Sequence, residues 1–133
     1  MVVTGDGKPI EVHFRPGSES DEKALWEMAL DIPADSKLYA DGAYNCFDLE
    51  DILAEEQIVL LAKRGKCAKN RIRTKMEEKE ISGRRQIVET VFSCIANFLP
   101  RTIKTRTEGC FLIKVYCSIL AYSIGLIAKS LPI

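Results

Sequence analysis

The stretch KLYADGAYNCFDLEDILAEEQIVLLA, from Lys37 to Ala62, decides the fold. Lys37–Ala40 is a short β-prone run that ends at Asp41, and Gly42-Ala43-Tyr44-Asn45 turns the chain. Residues 46–56 predict a helix, with Asn45 as its cap and Phe47, Leu49, Ile52 and Leu53 as its core side. Ile58–Ala62 is wholly apolar, the pattern of a strand covered on both faces. Strand, helix and strand in this order and at this length predict a βαβ unit with parallel strands, and hence an α/β fold.

Upstream, Met1–Thr4 and Lys8–Arg15 predict a hairpin around the turn cluster Gly5-Asp6-Gly7. Pro16-Gly17 stops the second strand. Ser18 or Ser20 then caps a helix over about residues 20–30, whose first turn carries Asp21 and Glu22. Downstream, residues 63–82 show no clear period: Lys63, Arg64, Lys66, Lys69, Arg71, Arg73 and Lys75 form a run with no acid among them, followed by Glu77, Glu78 and Glu80. This is the pattern of an exposed basic loop. Residues 84–98 predict a helix with Ile87, Val91, Phe92, Ile95 and Phe98 spaced for burial, and Pro100 closes it.

A last helix is expected from about 108 to 129. Its apolar run is interrupted by Lys114, which leaves the fourteen uncharged residues Val115–Ala128. A bilayer asks for about 20, so a buried core helix is expected and no membrane partner.

The net charge of zero hides an asymmetry. Residues 1–56 hold fourteen acids and four bases, whereas residues 57–133 hold five acids and fifteen bases. A basic half beside an acidic one suits a polyanion surface next to a carboxylate site, or two solvated faces of different sign. The five cysteines are odd in number and form no CxxC pair, which fits a reduced cytoplasmic protein better than a disulfide scaffold. With His13 the only histidine, a Cys/His zinc site is not expected. Met1-Val2-Val3-Thr4 has no basic n-region, so no signal peptide is expected.

Two acids stand out. Asp41 follows a strand directly, and the carboxyl ends of parallel strands are where α/β sheets build sites. Glu89 lies midway along an apolar helix, where a carboxylate either faces the open edge or holds a cation. Locally, Asp41 also reads as a turn residue, and Glu89 as a partner of Arg85 one helical turn earlier.

Three longer motifs bear on that choice. They are GKPIEVHFRPGSxSD from Gly7 to Asp21, LYADGAYN from Leu38 to Asn45, and RRxIVETVFS from Arg84 to Ser93. In this order and spacing the chain resembles the DDE superfamily of bacterial insertion-sequence transposases. The resemblance covers nearly its whole length. Asp41 matches the family's second catalytic aspartate in an ADxxY context, and Glu89 matches its catalytic glutamate in an RxxxExxF context that also contains Arg85. Ser82 and Ala96 stand where related enzymes often carry a tyrosine and a lysine.

The resemblance implies an RNase H-like mixed sheet with flanking helices, lacking the first strand and the aspartate it carries. Residues 1–133 would then form an N-terminally truncated catalytic domain. It divides into the hairpin, helix and strands of 1–62, the basic loop 63–83, and the helices of 84–133. It further implies Mg2+ or Mn2+ held by Asp41 and Glu89, with DNA strand cleavage and transfer as the parent activity. Transposon-end DNA would be the partner, met by Lys63, Arg64, Lys66, Lys69, Arg71, Arg73, Arg84 and Arg85. A chain with two of three carboxylates is expected to be inactive alone, or to serve as a non-catalytic DNA-binding or regulatory fragment. Self-association, or pairing with full-length transposase, is expected in the bacterial cytoplasm close to the nucleoid.

Overall fold

The computed structural model describes residues 1–65 and 70–131. It divides into two compact units, one of Glu11–Gln86 and one of Met1–Ile10 with Ile87–Ile133. In chain order the elements are β1 (Val2–Val3), β2 (Pro9–Glu11), α1 (Asp21–Glu27) and β3 (Lys37–Ala40). A 3-10 turn (Gly42–Tyr44) follows, then α2 (Phe47–Glu55), β4 (Val59–Ala62), α3 (Lys75–Ala96) and α4 (Glu108–Ser130). The result is an α/β chain with two two-stranded sheets among the described residues, β1-β2 and β3-β4.

The Glu11–Gln86 unit is built on the βαβ segment. β3 and β4 pair in parallel, with Lys37 opposite Val59 and Ala40 opposite Ala62. Two residues in left-handed conformation set the strand entries, Asp35 (φ 64°) and Gln57 (φ 61°). The Asp35 amide donates to the Gln57 carbonyl at 2.8 Å, and the Val59 amide to the Ser36 carbonyl at 2.9 Å. Gln57 also closes α2, because its amide donates to the Ala54 carbonyl while the Ile58 amide donates to that of Leu53. This double bond across a left-handed residue is the Schellman way of satisfying the last helical carbonyls.

Leu25 of α1, Leu49 and Leu53 of α2, and Ile58 and Leu60 beside or in β4 form the core of this unit. Each such side chain contributes roughly 1.5–3 kcal/mol on full burial. Ile52 of the expected core side is exposed instead, and so is Val59. A two-stranded sheet leaves too little surface to cover every apolar position of its strands and helix. The Asn45 cap is also different from expectation: α2 starts after Cys46 with no side-chain cap, and Asn45 accepts from Arg64 instead.

In the other unit, the hairpin turns through Gly7 (φ 83°), whose amide donates to the Thr4 carbonyl at 3.0 Å. A Cβ at Gly7 would lie 3.3 Å from Val91 of α3 and 3.5 Å from the Tyr122 hydroxyl of α4. Tyr122 Oη donates to the Gly7 carbonyl at 3.0 Å, so turn and helix are tied at one point.

Two expectations are corrected here. Residues 75–83 are helix and not loop, because α3 opens at Lys75. The reason is a capping box: the Glu77 amide donates to Thr74 Oγ1 at 3.2 Å, and the Thr74 amide donates to Glu77 Oε2 at 2.8 Å. The last helix has the expected position but not the expected burial, since Ser118 is its one buried residue. By length and composition α4 is long and apolar enough to cross a membrane.

Candidate functional site

β3 and β4 run parallel, so their carboxyl ends open on the same side, and Asp41 is the first residue past β3. Asp41 Oδ1 accepts from the Ala43 amide at 2.9 Å, which caps the 3-10 turn and fixes the carboxylate over the strand end. The exit of β4 backs this turn: the Lys63 amide donates to the Ala40 carbonyl at 3.2 Å, and the Arg64 guanidinium bonds Asn45. Tyr44 packs against the core, and burial, with the charges of Asp21 and Asp41 adding to it, pushes its phenol above the ordinary value.

Beside this turn lies a group that the sequence did not reveal. Glu50 of α2 is nearly buried and takes both Arg64 (2.6 Å) and Arg73 (2.8 Å), whose side chains are also nearly buried. Arg73 continues past the carboxylate to donate to the Leu60 carbonyl at 2.9 Å and the Ala62 carbonyl at 3.3 Å. Carbonyls two residues apart share one strand edge, so Arg73 closes the free edge of β4. Arg71 pairs with Asp51 at 2.9 Å, and this bond raises the guanidinium and lowers the carboxyl from their usual values. The Arg64 and Arg71 guanidinium carbons each lie 4.8 Å from the centre of the Phe47 ring.

The expected DNA-binding residues therefore divide. Lys63, Arg71, Arg84 and Arg85 are exposed, whereas Arg64 and Arg73 are drawn into the Glu50 cluster. Lys66 and Lys69 lie outside the described residues. The Arg84 guanidinium stands over the Tyr39 ring of β3 at 5.8 Å, and Tyr39 Oη donates to Glu80 at 3.1 Å.

Glu89 occupies the exposed side of α3, while Val91 and Ile95 of the same helix are buried. Asp41 belongs to the Glu11–Gln86 unit and Glu89 to the other. Among the described residues no three His, Cys, Asp or Glu side chains converge. Asp41 and Glu89 have the hard oxygen donors that Mg2+ or Mn2+ takes, but a complete ligand set is not formed by these residues.

The family model described as a transposase DDE domain matches residues 1–107, and the chain belongs to that family. Helix α4, Glu108–Ser130, lies beyond the matched residues. No curated protein and no solved structure matches the chain.

Proposed function

We propose that this chain works on DNA as part of an insertion-sequence transposase of bacteria, with Asp41 and Glu89 as two of the carboxylates that hold Mg2+ or Mn2+. The observation that carries the reading is Asp41, fixed by its own ADxxY turn at a strand end inside the matched residues 1–107. Such ions, when bound, activate the attacking oxygen and stabilise the leaving one in phosphoryl transfer. The further donors come from outside the described carboxylates, from another polypeptide or from the DNA. The chain accordingly does not cleave DNA by itself.

Lys63, Arg71, Arg84 and Arg85 meet the DNA backbone, with Lys66 and Lys69 of the same basic run. Arg64 and Arg73 support this surface by holding the segment to α2 and β4. The protein pairs with full-length transposase or with itself, and it acts in the bacterial cytoplasm close to the nucleoid. A regulatory role without catalysis is the second reading, favoured by the exposed cations Lys63, Arg71, Arg84 and Arg85, which suit DNA binding without chemistry.

Duplex binding measured over a salt series tests the reading. Affinity falls with salt by a log–log slope of about −0.9 for each phosphate neutralised. Replacing Lys63, Arg84 and Arg85 together with alanine makes that slope shallower by about 2 to 3. Binding that ignores salt, or a slope that ignores these replacements, overturns it.

A further inference from the structure

Helix α4 has two different faces. One carries buried Ser118 and Tyr122, the latter bonded to the Gly7 carbonyl. The opposite face carries Ile113, Cys117, Leu120, Ile124, Ile127 and Leu131, all exposed, the five aliphatics by 56% to 63%. Their spacing is 4, 3, 4, 3, 4 without a break. At 3.6 residues per turn they fall within an arc of about 80°. This is a heptad seam, and the positions flanking it include Gly109, Ala121, Ser123 and Ala128, small residues that allow a second backbone to approach.

We infer that this seam pairs with α4 of a second copy of the chain. Spacing is the first argument. A facing helix demands a 3-4 alternation, whereas lipid asks only for apolarity and sets no register. Area is the second. Half the lateral surface of a 23-residue helix, about 34 Å long and 10–12 Å across, is on the order of 600 Å2. Two copies then remove about 1,200 Å2, the lower bound of a stable interface. The hydroxyls near the seam do not oppose pairing, since Ser123 Oγ donates to the Ile119 carbonyl at 2.9 Å.

The pairing deepens the self-association proposed above, but it rests on α4 alone. Its failure leaves the DNA reading standing, and loss of DNA binding leaves the seam standing.

Sedimentation velocity on the full chain tests it, alongside flotation with phospholipid vesicles. The wild-type chain is expected to sediment as a dimer and to stay off the vesicles. Leu120→Glu and Ile124→Glu are each expected to raise the dimer dissociation constant at least about tenfold. Met76→Gln, at an exposed position of α3, leaves it unchanged. If the glutamate variants lose their circular dichroism, Leu120→Gln and Ile124→Gln repeat the comparison with a milder change. A monomeric wild-type chain, a dimer indifferent to all seam variants, or seam-dependent flotation without a dimer each overturns the inference.

Discussion

Arg73 Nη2 lies 2.8 Å from Glu50 Oε1 while the same guanidinium bridges the Leu60 and Ala62 carbonyls. One side chain thus joins α2 to the free edge of β4 and holds the segment that leads into α3. A buried ion pair whose partner is removed leaves a charge and its hydrogen bonds uncompensated.

Arg73→Ala is expected to lower unfolding stability by about 3 kcal/mol in urea titration, because nearly buried Glu50 loses a close partner and the Leu60 and Ala62 carbonyls lose their donor. Arg71→Ala loses the exposed Asp51 and only a 3.6 Å approach to Glu50, so it leaves the urea midpoint almost unchanged. Equal effects from the two replacements contradict the assignment of Glu50 as the hub.

Gln57 sits at φ 61°, where a side chain meets its own carbonyl and glycine does not. Gln57→Gly relieves that strain and adds some freedom to the unfolded chain. A net gain of about 0.5 kcal/mol is expected from thermal unfolding. A loss of stability shows that the Gln57 side chain makes a contact worth more than the backbone strain.

The Thr74–Glu77 box predicts both a mutational and a pH effect. Thr74→Ala costs about 1 kcal/mol, because the Glu77 amide at the start of α3 loses its side-chain acceptor. The Thr74 backbone amide holds the Glu77 carboxyl below its ordinary value of 4.5. The unfolded chain therefore takes up this proton at higher pH than the folded one. The contribution is whole above about pH 4.5 and fades as pH falls through the lower folded value. Glu77→Gln should flatten that part of the acid-unfolding curve, and an unchanged curve counts against the box.

The parts of this fold legible in the sequence are those fixed by neighbours along the chain. Lys37–Ala62 alternates apolar period and turn residues closely enough to give β3, α2, β4 and their parallel pairing. The start of α3 was hidden because its first two turns are nearly all charged, although Thr74-x-x-Glu77 marked it. Glu50 was not legible, since Arg64 and Arg73, distant from it in sequence, gather on it only in the folded unit. Nor was the exposure of α4, because apolar composition does not say what covers a helix. The position of Asp41 directly after β3 was legible from the strand and turn residues around it, while Glu89 belongs to a different compact unit.

The most direct test of the account is nicking of supercoiled plasmid by the purified chain in Mg2+ and in Mn2+, with Asp41→Ala beside it. The account predicts retained plasmid that stays uncut by both proteins, since two carboxylates alone do not complete a two-metal site. Metal-dependent nicking that Asp41→Ala abolishes would contradict it, by showing that this chain completes the site with its own residues.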